Sequence, residues 1–130
     1  MSGEGLTIAQ LREEIATSSA KAAFDVIVDG FSALGGLTLI AHHKGFINTL
    51  RILRGDEYCF SSIPNDEWVL ACIRKPELRR GRLTPEEVLV AFPDAHVNSK
   101  GEVALRIRDA ATASRWLEMI RAAGPVPADP

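Results

Sequence analysis

Basic side chains are concentrated in the segment 74–82, where five of nine residues are positively charged and only Glu77 is negative. These five are Arg74, Lys75, Arg79, Arg80 and Arg82. Residues 1–36 have the opposite balance, with five acidic and two basic side chains. Guanidinium and ammonium groups at this density bind phosphates or acidic protein surfaces. The segment is therefore interpreted either as a binding site for such a partner or as a solvated loop.

Histidine side chains are the first candidates for metal binding or acid–base catalysis. His42 and His43 are adjacent, and neighbouring residues of a strand point to opposite faces, so they do not share one ion. The chain has no Cys-x-x-Cys, His-Glu-x-x-His or Gly-x-Ser-x-Gly spacing. The sequence predicts no catalytic residue, metal or cofactor. If the protein is an enzyme, the titratable candidates are His42, His43, Asp56 and His96.

Cys59 and Cys72 are the only cysteines of the chain, which is too few for a disulfide framework. A redox-active cysteine needs an accessible thiolate that positive charge stabilises, and no basic residue adjoins either one. The sequence therefore predicts two buried thiols that behave as small apolar side chains.

The composition is that of a globular domain rather than a disordered or collagen-like chain. Of the 130 residues, 46% are hydrophobic and 25% are charged, and the formal net charge is −2. This length predicts one α+β domain over residues 7–124, with disorder at residues 1–6 and in the Pro-rich tail 125–130. No apolar stretch of signal or membrane length is present, which predicts a cytoplasmic protein without membrane contact.

A long helix is predicted to begin the domain. Thr7 and Gln10 form a capping box, and apolar residues then recur with the helical period as far as Phe31. Gly35-Gly36 ends the helix, and the run 17–19 (Thr-Ser-Ser) is the expected break.

Four short strands are predicted after this helix, at 37–43, 46–54, 57–63 and 68–74, joined by tight turns. A second helix begins at Thr84 and stops at Pro93, a fifth strand covers 103–107, and a last helix runs from Asp109 to Gly124. The predicted order is therefore α-β-β-β-β-α-β-α, in which helices pack on one mainly antiparallel sheet.

The positions of the turns also predict which residues face each other. Cys59 is expected directly opposite Cys72, with Ile52 beside Cys59 and Leu37 beside Ile52. One face of the sheet is then almost wholly apolar and is the predicted core: Leu37, Leu39, Leu50, Ile52, Cys59, Ile63, Trp68, Leu70 and Cys72. The other face mixes aromatic, basic and aliphatic residues: Thr38, Ile40, His42, Thr49, Arg51, Tyr58, Phe60, Ser62, Val69 and Ile73.

The α-β-β-β succession is similar in topology to that of the restriction-endonuclease-like nucleases. Those enzymes use a strand Asp followed by Glu-x-Lys to hold a metal and activate water. Because no Glu-x-Lys occurs in this chain, the resemblance implies only a degenerate nuclease-like domain.

These observations favour a small non-enzymatic interaction module. The basic segment, with Arg51, Tyr58 and Phe60 on the mixed face, would bind nucleic acid, nucleoprotein or an acidic protein surface. Arg54, Arg106 and Arg108 would extend this surface if the fifth strand lies near the second. The first alternative is a homodimeric regulator, inhibitor or chaperone-like protein that binds a partner protein through the apolar sheet face. The second alternative is a small enzyme or degenerate nuclease-like domain.

Overall fold

The computed structural model describes residues 6–124, which form five helices and six strands. The predicted disordered ends lie outside these residues, apart from Leu6, which packs against the core. The helices are Ile8–Glu13 (α1), Ser18–Leu34 (α2), Lys75–Leu78 (α3), Pro85–Ala91 (α4) and Ala110–Ala123 (α5). The strands are Thr38–Lys44 (β1), Ile47–Arg54 (β2), Glu57–Pro64 (β3), Val69–Ile73 (β4), His96–Val97 (β5) and Val103–Ile107 (β6).

All six strands belong to one antiparallel sheet with the order β1-β2-β3-β4-β6-β5. The predicted α+β fold is confirmed, including the four-stranded meander and the return of a later strand to the sheet. The short elements α3 and β5 are additions to the predicted order. β1 and the two-residue β5 form the two edges. No helix within the described residues is long and apolar enough to span a bilayer.

The first helix is broken next to the predicted run 17–19: the break covers residues 14–17, and Ser18 and Ser19 already belong to the second helix. α1 begins with the Thr7–Gln10 capping box, and a new helix starts where the Thr17 hydroxyl accepts a hydrogen bond from the Ala20 N–H. The N–H groups of Ala16 and Thr17 donate to the Asp66 carbonyl, at 2.8 and 3.2 Å. The break therefore joins the helices to the turn between β3 and β4.

Helices α2 and α5 cover one face of the sheet. Phe24, Ile27 and Phe31 of α2 are buried against the strands, as is Trp116 of α5. The two helices approach closely at Gly30, where an added Cβ would lie 2.7 Å from Leu117 Cγ. Only glycine fits at this crossing without moving Leu117.

A β-bulge at Cys59 changes the faces of the later strands. Leu53 pairs with Tyr58, but the neighbouring Ile52 pairs with Phe60, so Cys59 is an extra residue on β3. Because side chains alternate along a strand, one extra residue moves every later side chain to the opposite face. Phe60 is therefore 1% exposed in the core beneath the helices, and it is not on the mixed face where the sequence analysis predicted it.

The same bulge corrects other predicted positions. Cys59 does not face Cys72, because Ser61 occupies the position opposite Cys72. Independently of the bulge, the first hairpin is shifted by two residues, so that Ile52 pairs with Leu39 instead of Leu37. This two-residue shift preserves the faces, so the assignment of Leu39, Leu50 and Ile52 to the core side is confirmed. Downstream of the bulge the core residues are Phe60, Ser62, Val69 and Ile73, whereas Ile63, Trp68, Leu70 and Cys72 lie on the other side.

Candidate functional site

The sheet face opposite α2 and α5, called here the open face, carries a depression of about 410 Å³, called here the trough. Its floor comes from β2, β3 and β4, and the turn between β5 and β6 forms one wall. Within residues 6–124, no helical residue lines it. The lining side chains are His42, Lys44, Ile47, Thr49, Arg51, Tyr58, Ser61, Ile63, Leu70, Cys72, Arg74, Asn98, Ser99, Lys100 and Glu102.

Positive charge predominates in the trough. Lys44, Arg51, Arg74 and Lys100 contribute cations, whereas Glu102 is the single carboxylate among the lining residues. Glu102 is already paired, because its Oε2 atom lies 3.2 Å from Nε of Arg74. The trough therefore attracts anions.

Tyr58 organises two of these arginines. The guanidinium carbon of Arg74 lies 3.9 Å from the centre of the Tyr58 ring, and that of Arg51 lies 4.7 Å from it. Arg74 also donates from Nη1 to the Tyr58 carbonyl at 2.8 Å. Burial raises the pKa of the Tyr58 hydroxyl above its ordinary value. The ring thus serves as a platform for two guanidinium groups.

Arg51 has unused binding capacity. Its Nε atom is buried and has no hydrogen-bond partner within residues 6–124, and Arg51 forms no ion pair there. Partial desolvation and the charges of Arg51 and Lys44 lower the pKa of the nearby His42. A buried N–H without a partner costs free energy, and an anion in the trough would satisfy it.

Most of the basic segment 74–82 lies elsewhere. Of its five basic residues, only Arg74 lines the trough. Arg80 pairs with Glu57 and approaches Glu77, and Arg82 donates to the Ala123 carbonyl at 3.5 Å.

Glu77 of α3 is the centre of this second arrangement. Its side chain is 2% exposed and accepts hydrogen bonds from Nε and Nη2 of Arg54, at 3.0 and 3.3 Å. The interpretation of residues 74–82 as a single exposed basic loop is therefore wrong. Lys75 and Arg79 are exposed and form no ion pair among the described residues.

A second basic cluster occupies the open face near β6. The guanidinium carbons of Arg106 and Arg108 lie 4.5 and 5.1 Å from the centre of the Trp68 ring. A depression of about 360 Å³ beside them is lined by Asp94, His96, Arg106 and Arg108. β6 lies three strand positions from β2, so the condition that the two strands lie near each other is not met, but Arg106 pairs with Leu70 and shares the open face. Arg54, the third predicted extension, binds Glu77 instead.

Comparisons with protein-family models, curated proteins and solved structures find no match to this chain. Evidence on function therefore comes from the site itself. The signal of the second basic cluster in the sequence is Arg106 within the otherwise apolar strand β6, with Arg108 directly after that strand. Lys44, Lys100 and Ser61 were missed because they join the site only when the hairpins fold together.

The groups considered for catalysis are dispersed. His42 lines the trough, whereas His43 points to the other face and contacts Asn48. His96 lies on the edge strand β5, and Asp56 is exposed in the turn after β2. Cys59 and Cys72 are buried free thiols, and burial raises the pKa of each. In residues 6–124, no three His, Cys, Asp or Glu side chains are grouped to hold a metal ion.

Proposed function

We propose that this protein is a non-enzymatic interaction module that binds single-stranded nucleic acid on the open face of its sheet. The observation that carries the proposal is the trough, where four cationic side chains surround one already paired carboxylate and the Arg51 Nε atom has no partner among residues 6–124. Phosphate groups supply the missing negative charge and the missing acceptor.

The chemistry beside the cations suits bases. Ile63 and Leu70 give the trough an apolar floor, and the guanidinium planes over Tyr58 offer flat surfaces for stacking. Unpaired bases stack on aromatic rings and on arginine planes, whereas a duplex conceals its base faces. A single strand therefore suits this surface better than a duplex.

The proposal assigns a smaller role to the segment 74–82 than the sequence suggested. Arg74 is used within the trough, and Lys75 lies beside Gly101 in the turn that forms its wall. Arg80 is a structural residue because its charge is balanced by Glu57 and Glu77. We also propose a cytoplasmic location, because both cysteines are unpaired thiols.

The test is titration of a fluorescein-labelled 15-nucleotide oligodeoxythymidylate, followed by fluorescence anisotropy. We expect binding that weakens steeply between about 50 and 200 mM salt, because phosphate contacts release counterions. Arg51→Ala should raise the Kd about tenfold. The matched control is Arg12→Ala, which removes the same charge from the helical side, where Arg12 pairs with Asp25 at 2.8 Å.

Two results would contradict the proposal. One is the absence of binding at low salt. The other is an equal loss of affinity in the Arg51→Ala and Arg12→Ala variants, since nonspecific attraction would then explain the binding.

A second candidate function is the binding of a partner protein or a second copy of the chain. Its support is the exposure of two consecutive apolar side chains at the tip of the hairpin between β1 and β2: Phe46 is fully exposed, and Ile47 is 55% exposed. Exposed apolar side chains that lie together mark protein interfaces. Light scattering that gives a dimer unaffected by salt and lost in Phe46→Ser would favour this function.

A further inference from the structure

The second basic cluster has the chemistry of a binding subsite of its own. Arg106 and Arg108 are exposed, form no ion pair among residues 6–124, and both lie over the Trp68 ring. We infer that one nucleic-acid strand binds the trough and this cluster together and runs across the sheet from β2 to β6. The inference rests on the proposed function of the trough.

The register places both sites on the same face. Arg51 pairs with Ser61, which pairs with Cys72, and Arg106 pairs with Leu70, two residues from Cys72 on β4. Because alternate residues of a strand share a face, the side chains of Arg51 and Arg106 point to the same side of the sheet. One ligand on the open face can therefore contact both sites without passing around an edge of the sheet.

The separation of the two sites defines the length of the ligand. β2 and β6 are three strand positions apart, which is about 14 Å across the sheet, and the two rows differ by two residues, about 7 Å along it. The Cα atoms of Arg51 and Arg106 are therefore about 16 Å apart. A stacked strand advances about 3.4 Å per nucleotide, so about five nucleotides connect the two sites.

The surface between the sites has the character that such a strand requires. Ile63 and Leu70 pair with each other on the open face, and both line the trough. Leu70 is also paired with Arg106 on β6. The order across the sheet is therefore cationic, apolar and cationic. Phosphates fit the two ends of this order, and bases cover the apolar middle.

The test measures affinity against ligand length, with oligodeoxythymidylates of 2 to 12 nucleotides and isothermal titration calorimetry. For the unaltered protein we expect the Kd to fall at least about tenfold between three and six nucleotides, because the second contact becomes intramolecular. Beyond about eight nucleotides the gain should level off. The double variant Arg106→Ala/Arg108→Ala should bind the trinucleotide within about twofold of the unaltered protein and lose the gain with length.

The control is Arg12→Ala/Arg121→Ala, which removes two charges from helices α1 and α5 and should keep the full length dependence. An undiminished gain with length in Arg106→Ala/Arg108→Ala would overturn the inference while leaving the trough as a binding site. An absence of binding at every length would overturn both this inference and the proposed function.

Discussion

The Phe60 ring lies 5.0 Å from the Phe31 ring, centroid to centroid, and the two planes are inclined by 42°. This contact joins β3 to α2, and each ring is only 1% exposed. It exists because the bulge at Cys59 turns Phe60 toward the helices while Tyr58 remains on the open face.

The effect of truncating each ring follows from this arrangement. Phe60→Ala should lower the free energy of unfolding by about 3–5 kcal/mol, because it removes a buried ring and leaves a cavity. Tyr58→Ala should cost clearly less, since Tyr58 is half-buried and lies outside the helix-covered core. Urea denaturation of the two variants measures the difference. Equal losses would contradict the observed register.

The sequence pattern predicted β1 and β2 well, because the turns at Gly45 and Gly55 have clear signals and a two-residue shift leaves the faces unchanged. It could not predict the bulge, because either of the two alternating sets of side chains in the run from Tyr58 to Ile63 could face the core. The sheet faces of Val69 and Cys72 were predicted wrongly for the same reason. A bulge depends on how two strands meet, which one strand does not encode.

The candidate site was predicted in part. Arg51 and Tyr58 share the open face as the predicted strand alternation placed them, and Arg74 joins them because the bulge moves Cys72 and the residues that alternate with it to that face. Phe60 was misplaced by the bulge. Arg80 could not be assigned, because its partner Glu57 lies 23 residues away and meets it only after β3 and α3 have packed.

Glu77 should be important for stability because it compensates buried positive charge. Glu77→Ala should lower the free energy of unfolding by about 3–5 kcal/mol, since Arg54 would keep a largely buried charge without its partner. The comparison variant is Glu57→Ala, whose carboxylate is half-exposed and whose loss should cost less than about 1 kcal/mol. Thermal or urea unfolding measures both. Similar small losses would show that Glu77 does not hold this network.

Gly30→Ala should destabilise the protein although alanine favours helix. The added methyl group would lie 2.7 and 2.9 Å from Cγ and Cδ1 of Leu117, so the two helices must separate. We expect a loss of about 1–3 kcal/mol, which exceeds the gain in helix propensity of about 1 kcal/mol. The loss of stability in the double variant Gly30→Ala/Leu117→Ala should be smaller than the sum of the losses in the two single variants. A stabilised single variant would refute this close approach.

Acidification should strengthen nucleic-acid binding through His42. Partial desolvation, and then Arg51 and Lys44, lower its pKa, so it is neutral at pH 7 and gains its proton only below the ordinary value of about 6.5. A bound phosphate favours that proton, so affinity should rise as the pH falls below 6.5. Anisotropy titrations between pH 8 and 5.5 measure this effect. His42→Gln should remove it, and His43→Gln, on the other face, should retain it.

The same lowered pKa makes the opposite prediction for the unliganded fold. The unfolded chain accepts the His42 proton at higher pH than the folded chain does, so this residue's contribution to the free energy of unfolding declines as the pH falls below 6.5. The free energies of unfolding of the unaltered protein and His42→Gln should be most similar at pH 7, where His42 is neutral, and the unaltered protein should become the less stable of the two as the pH falls. A constant difference across this range would contradict the assignment.

The order of the strands in the sheet also predicts the order in which they form during folding. β1 to β4 are consecutive hairpins whose pairing needs only short loops, whereas β6 must close a segment of about thirty residues before it reaches β4. We therefore expect pulsed hydrogen exchange to find early amide protection in β2 and β3 and later protection in β6. During folding, the floor of the trough would then form first, and its wall, with Lys100 and Glu102, would arrive together with Arg106 when β6 docks.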